Sequence, residues 1–178
     1  SLAREMASSY ESDGRTRFVA GSMGPGTKLP SLGHIGFAEL RDSYVEQARG
    51  LLDGGSDLFL IETCMDLLQI KAAMQACRQA MKIVGREIPI QVQVTMETTG
   101  RMLVGTEIGA ALSALLAMKP AVIGINCATG PAEMQEHLRH LSQHCPIPIS
   151  VLPNAGLPSV VDGRTHYDLS PAQLAEFH

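Results

Sequence analysis

The hydrophobic pattern of this chain consists of five short apolar runs separated by longer segments with helical periodicity. Most of the runs are continuous rather than alternating, which is typical of strands covered on both faces of a sheet. Their starts lie roughly 30 to 40 residues apart, about the length of one strand–helix unit. The pattern predicts a parallel α/β fold with strands at Phe18–Ala20, Leu58–Ile61, Ile90–Thr95, Ala121–Ile125 and Ile149–Leu152.

Apolar residues recur every three to four positions between these runs, as expected for helices that pack one face on a sheet. Gly54 and Gly85 stand where two of these helices should end. Pro131 suits the first turn of another, and Ser170 is a typical N-cap for a last helix. The predicted helices are Phe37–Leu52, Asp66–Val84, Thr106–Met118, Pro131–Cys145 and a segment that begins at Pro171 and is still apolar-periodic at His178.

Two arrangements fit this alternation: a doubly wound open sheet and a segment of a (βα)8 barrel. No Gly-x-Gly-x-x-Gly turn follows a strand, which argues against a nucleotide-binding open sheet. Polar residues with reactive side chains follow the strands instead, which is the layout of a barrel active site. A whole barrel takes about 250 residues, so a chain of 178 residues predicts part of a barrel, with parallel strands and outer helices.

Composition and charge exclude several classes of function. The net charge is −4, without a basic stripe, which argues against nucleic acid as a partner. No apolar run approaches the about 20 residues of a membrane span, and no secretion signal opens the sequence. The four cysteines, Cys64, Cys77, Cys127 and Cys145, are scattered, as in proteins of reducing compartments, so we expect a cytoplasmic protein.

Cys127 lies two residues after the end of the fourth run, next to Asn126, and precedes the helix that begins at Pro131. A helix N-terminus favours the thiolate, which is the form that binds metals and attacks electrophiles. A small buried apolar residue would look the same in the sequence. The other three cysteines are interpreted as packing residues, although Cys64 is close enough to Glu62 to lie near the same strand end.

Glu62 and Asn154 are the other candidate ligand-binding side chains. Glu62 follows four apolar residues, and a carboxylate there is costly to bury without a cation or hydrogen-bond donors. It either binds the amino group of a ligand or pairs with a lysine or arginine. Asn154 follows the fifth run, where its amide can bind a carboxylate or an amine, or form a local turn before Gly156.

Gly21–Pro25 is predicted to be a glycine-rich loop after the first strand, in which Gly21, Ser22 and Gly24 can approach a ligand carboxylate closely. The loop lacks the lysine and hydroxyl residue of a phosphate-binding loop.

Three histidines share one face of the fourth predicted helix, at His137, His140 and His144. Their spacing can bind a metal, but no acidic residue or cysteine accompanies them, so we expect a solvated face.

Several segments, taken in order over about residues 17–178, resemble the homocysteine-binding barrel domains of cobalamin-dependent methionine synthases. That family folds as a zinc-containing (βα)8 barrel, and the resemblance implies that residues 1–178 correspond to strands three to seven, without the first two strands and the last one. The segments that carry the resemblance are 18–25, 60–63 with 71–73, 100–106, 124–131 and 153–158.

The resemblance also implies roles for particular residues. Cys127 matches the first of three zinc-binding cysteines, whereas the other two form a pair that this sequence does not contain. Glu62 and Asn154 match positions that bind the amino-acid end of homocysteine, and the Gly21–Pro25 segment matches the lining of the same pocket. No further catalytic residue is implied beyond the metal site.

The activity that the resemblance implies is methyl transfer from methylcobalamin to homocysteine, giving methionine, with zinc favouring the substrate thiolate. The partners are homocysteine and the cobalamin- and folate-binding modules of a parent enzyme. Two alternatives remain open: another methyl donor, and a non-catalytic fragment. The isolated chain is expected to lack activity and to self-associate through uncovered strands.

Overall fold

Five parallel strands form the central sheet of the computed structural model, which describes residues 1–177. Strands that are consecutive in the chain are neighbours in the sheet. A doubly wound sheet would reverse its strand order at a switch point, so the sequential order confirms the prediction of a barrel segment. The strands are β1 (Ala20–Met23), β2 (Leu58–Cys64), β3 (Ile90–Val94), β4 (Val122–Asn126) and β5 (Ile149–Leu152).

Helices connect the successive strands and cover one face of the sheet. In residues 1–177, no helix has the length and hydropathy needed to cross a bilayer. A short antiparallel hairpin of β6 (Pro158–Val161) and β7 (Arg164–Tyr167) follows the sheet. The helices are α1 (Leu2–Ser9), α2 (Phe37–Asp53), α3 (Leu67–Val84), α4 (Ile108–Met118), α5 (Pro131–His144) and α6 (Pro171–Ala175).

The side chain of Asp66 connects the start of α3 to the segment that follows β1 through hydrogen bonds. Its carboxylate accepts hydrogen bonds from Leu68 N at 2.8 Å, which caps the helix, and from Ser31 N and Ser31 Oγ at 2.9 and 2.7 Å. Asp66 is fully buried. The three donors compensate its carboxylate for the hydrogen bonds to water that burial removes. The segment after β1 is thereby held close to the end of β2.

The two faces of the sheet have different chemistry. Side chains that point toward the helices are apolar and buried, among them Phe59, Ile61 and Val92. Side chains on the opposite face, which corresponds to a barrel interior, are polar: Ser22 is exposed, Gln91 is half-buried and Gln93 is fully buried. This polar face explains why the first strand was predicted wrongly.

The first strand begins at Ala20 rather than Phe18, and it includes Gly21 and Ser22, which the sequence analysis assigned to a loop. Phe18 is 72% exposed and lies outside the sheet. Along β1, Gly21 and Met23 point toward the helices, and Ser22 points to the other face. A strand with a polar interior face does not produce a continuous apolar run, so the apolar residues that precede it were mistaken for the strand.

Other elements differ at their ends or had no apolar signal. The helix predicted from Thr106 begins at Ile108, and β2 continues past Glu62 to Cys64. Helix α1 and the hairpin were not predicted, because α1 buries no residue and the hairpin is almost wholly exposed. The N-cap at Ser170 is confirmed, since its Oγ accepts from Gln173 N at 3.3 Å. That helix ends at Ala175, and His178 lies outside the described residues.

Gly124 allows β4 and β5 to approach, and we predict that Gly124→Ala destabilises the fold. An added Cβ would lie 2.1 Å from the carbonyl oxygen of Ser150, so the two backbones must separate. Overpacking of this kind costs about 1–3 kcal/mol of unfolding free energy or more. Urea unfolding measures the change.

The matched control is Gly50→Ala on the exposed side of α2, where an added Cβ meets open space. This substitution should stabilise the helix by about 0.5–1 kcal/mol. Equal stability of the two variants would contradict the assigned contact.

Candidate functional site

Glu62 and Ser22 meet at the edge where the strands end. The hydroxyl of Ser22 on β1 donates to Glu62 Oε1 on β2, with 2.5 Å between the oxygens. Glu62 is half-buried, and the salt bridges found within residues 1–177 do not involve it. The structure therefore does not support the alternative in which Glu62 pairs with a lysine or arginine.

A β-bulge sets the positions of Glu62 and Thr63. Ile61 pairs with Val92 and Cys64 pairs with Val94, so two residues of β2 stand opposite one residue of β3. Thr63 has a φ of +58°, which is uncommon for any side chain and unfavourable for a β-branched one. Bulges redirect side chains and often occur next to active sites. Here the bulge turns the backbone N–H of Thr63 toward β4.

Asn126, the last residue of β4, binds this bulge and the neighbouring turn. Its Oδ1 accepts from Thr63 N at 2.9 Å, and its Nδ2 donates to Thr63 Oγ1 at 2.8 Å. The same Nδ2 donates to Cys127 Sγ at 3.3 Å. Asn126 is only 2% exposed, so protein groups replace the water around its amide. We name these contacts the Asn126–Thr63 clamp.

The turn that carries Cys127 has an unusual backbone. Cys127 and Ala128 have φ values of +57° and +59°. With Thr63, they make three of the five non-glycine residues with positive φ in residues 1–177. Such strain persists only where the surroundings impose it, and it concentrates at functional sites. Cys127 is half-exposed, which does not fit a residue used only to fill the core, and it precedes the first turn of α5 as predicted.

Backbone hydrogen bonds bring the segment of Asn154 beside the Cys127 turn. Cys127 N donates to Leu152 O, and Asn154 N donates to Thr129 O, each at 3.1 Å. Asn154 is half-buried at this edge. The predicted residues after β4 and β5 are therefore adjacent in the structure.

Gly24, the residue after β1, lies close to the end of β2 at the same edge of the sheet. Its φ is +85°, and an added Cβ would lie 3.2 Å from both Cys64 Sγ and the carbonyl oxygen of Glu62. Only glycine combines that backbone conformation with so close an approach. The segment after β1 therefore lies directly against the end of β2, next to Glu62.

Sequence reasoning missed Thr63 and Asn126. Each is adjacent to a residue that was selected, Glu62 or Cys127. A polar residue at the end of an apolar strand was the available signal for Asn126, but its partner is 63 positions away in the chain. Nothing in either local segment indicates the pairing.

The remaining candidates lie away from this edge or inside the core. Cys64 and Cys77 are fully buried, which agrees with their interpretation as packing residues. The expectation of a solvated histidine face holds for His144 alone, because His137 and His140 are half-buried. His140 packs where Gly109 of α4 leaves room: a Cβ on Gly109 would lie 3.1 Å from its Nε2. Burial also lowers the pKa of His137.

Cys127 is an isolated candidate for metal binding. Within residues 1–177, no three histidine, cysteine, aspartate or glutamate side chains are grouped so that they could hold a metal ion. A zinc site needs at least three protein ligands, so the described residues do not fit a complete site.

One family model covers the whole length of the chain. The family model described as homocysteine S-methyltransferase matches residues 1–178. The chain belongs to the homocysteine S-methyltransferase family. The sequence of this family member is 58% identical over 175 residues to methionine synthase from Mycobacterium tuberculosis, and 57% identical to that from Mycobacterium leprae. These matches cover 98% of the chain but only 15% and 14% of the two relatives.

Solved structures support the barrel architecture of this homocysteine S-methyltransferase family member. The homocysteine methyltransferase MmuM from Escherichia coli, in its apo form, aligns with a TM-score of 0.72 and 24% identity. The alignment covers 87% of this chain and 57% of that one. The metallated form of MmuM aligns with a TM-score of 0.66 and 23% identity, over 87% of this chain and 56% of that one.

We predict that the cysteines of this family member differ strongly in reactivity. Burial raises the pKa of Cys64 and of Cys77 to about 12, and the thiolate is the reactive form. At pH 8, iodoacetamide should therefore modify both at least about a hundredfold more slowly than the half-exposed Cys127. Peptide mass spectrometry measures the four rates, and the same reaction in urea is the control, because unfolding should make the rates similar. Modification of native Cys64 as fast as Cys127 would show that the assigned burial is wrong.

Proposed function

We propose that this chain forms the part of a homocysteine methyltransferase that holds the substrate with its amino-acid end at Glu62 and its sulfur near Cys127. The observation that carries the proposal is the half-buried Glu62, which has a hydroxyl partner, Ser22, and no salt bridge to a described lysine or arginine. An ammonium group of a ligand is the cation that this carboxylate lacks.

The charge of Glu62 makes it the recognition group for the substrate ammonium. Ser22 donates to Oε1, which orients the carboxylate and leaves Oε2 to accept from a ligand. A hydrogen bond to an ionised partner contributes about 1.5–3 kcal/mol, and partial burial reduces competition from water. Asn154, whose segment lies beside Cys127, is suited to the same end of the ligand, since its amide can donate to a carboxylate.

Cys127 is proposed to lie at the sulfur end of the substrate. The resemblance to methionine synthases implies zinc there, with Cys127 as one ligand. Because the described residues do not supply three ligands, we propose that the remaining ligands come from outside residues 1–177. We therefore assign to this chain the binding and orientation of homocysteine.

The whole-protein activity that we propose is the formation of methionine from homocysteine. The substrate thiol would lose its proton to solvent, and its sulfur would form a bond to the methyl group as the bond between methyl and donor breaks, with that bond's electron pair remaining on the donor. The donor is methylcobalamin by resemblance, and it binds with folate on other modules of a parent. The chain spans 15% of the length of its mycobacterial relative, so these partners, a cytoplasmic location and self-association of the isolated chain all remain predictions.

The proposal predicts that Glu62→Gln, in the parent enzyme, raises the KM for L-homocysteine about ten- to one-hundredfold. The amide keeps the shape of the side chain and removes the charge that attracts the ammonium. The value of kcat should change little, because Glu62 contacts the end of the substrate that does not react. Steady-state methionine formation measures both constants.

Two controls make this test specific. Glu87→Gln removes an exposed carboxylate before β3, at the opposite end of the strands, and should leave the KM unchanged. The analogue 4-sulfanylbutanoate, which lacks the amino group, should bind equally to the enzyme with Glu62 and to the Gln variant. An unchanged KM for L-homocysteine in Glu62→Gln would refute the role of Glu62.

A further inference from the structure

The Asn126–Thr63 clamp joins the two ends of the proposed substrate site. Thr63 is covalently next to Glu62, which faces the ammonium end, and its Oγ1 lies 3.8 Å from Cys127 Sγ, at the sulfur end. We propose that the Asn126–Thr63 clamp fixes the spacing between these two ends, and so selects amino-acid thiols with two methylene groups between Cα and sulfur. The inference rests on the proposed function and adds the residues that determine chain-length specificity.

The hydrogen bonds of Asn126 leave its amide one orientation. Thr63 N can only donate, so the atom facing it must be Oδ1. The two hydrogens of Nδ2 then point at Thr63 Oγ1 and Cys127 Sγ. Every polar atom of the side chain is thus used, and each bond connects β4 to the bulge or to the Cys127 turn. A buried amide with all its partners is rigid, because moving it leaves a polar group unpaired.

A second set of hydrogen bonds connects the ends of β2 and β4 to Thr95, the residue that follows β3. Thr95 Oγ1 donates to the carbonyl oxygen of Asn126 at 3.0 Å, and Thr95 N donates to Cys64 O at 3.0 Å. Thr95 is only 3% exposed. Thr95 therefore binds the end of β2 through Cys64 and the end of β4 through Asn126. Several contacts together thus impose the strained φ of Thr63 between them.

A rigid spacing has a direct consequence for substrate choice. Adding or removing one methylene changes enzyme discrimination by about 10–200-fold, and a misplacement of about 1 Å can cost a hundredfold. If the bulge can shift relative to the Cys127 turn, shorter and longer thiols gain access to both ends. Substitutions that remove hydrogen bonds of the clamp should therefore reduce the discrimination between thiols of different length while the protein remains folded.

The test uses the parent enzyme with three ligands of different length. The KM for L-homocysteine is compared with the inhibition constants of L-cysteine and 2-amino-5-sulfanylpentanoate, which are one methylene shorter and longer. Thr63→Val keeps the size of the side chain and removes the hydroxyl, and Asn126→Ala removes the amide. We expect both variants to lower discrimination by about tenfold. Thr63→Ser, which keeps the hydroxyl, should retain the discrimination of the unmodified enzyme.

Each outcome decides between the two proposals. Equal weakening of all three ligands in Thr63→Val would mean that Thr63 only stabilises the fold, and it would overturn the clamp alone. An unmodified parent that does not methylate homocysteine would overturn the proposed function and this inference with it. If Asn126→Ala fails to fold, Thr63→Val still decides, since Thr63 is only half-buried. Thr98→Val, at an exposed loop position, is the matched control and should leave all three constants unchanged.

Discussion

The parallel register of the sheet is the constraint on which the candidate site depends. Because the strands run in one direction, their carboxyl ends meet at one edge, where Ser22, Glu62 and Cys127 lie. In a regular strand, successive side chains alternate between the two faces, and Thr63 would point toward the helices. The shift of register between β2 and β3 removes that restriction. It lets Thr63 face Asn126 while Glu62 remains beside Ser22.

The general fold could be predicted from the sequence because most elements bury an apolar face. The apolar periodicity of α2 and α3 and the mostly apolar run of β5 are local signals, and these elements lie where they were predicted. The errors occur where burial does not shape the sequence. The interior side of β1 is polar at Ser22, α1 buries no side chain, and the hairpin of β6 and β7 is almost wholly exposed.

The candidate site was less predictable than the fold, for a physical reason. The positions of Glu62 and Cys127 follow from apolar runs that end in a reactive residue, and such runs are visible locally. The bulge at Thr63 and the role of Asn126 arise from hydrogen bonds between segments 63 residues apart. Thr63 also adopts a conformation that its own preferences oppose, so a rule based on intrinsic propensity predicts the wrong backbone there. Tertiary contacts override local preference at this position.

The two ends of the site depend on different parts of the protein. The proposed ammonium end is assembled by bonds among β1, β2 and β4: Ser22 to Glu62, and Asn126 to Thr63. The proposed sulfur end offers one cysteine side chain, Cys127, and a zinc ion requires at least three protein ligands. If the proposed function holds, loss of the outside ligands should abolish activation of the sulfur and leave the hydrogen bonds around Glu62 in place. Under the proposed function, recognition of the amino acid is a local property of the described residues, whereas the chemistry at sulfur depends on ligands from the assembled barrel.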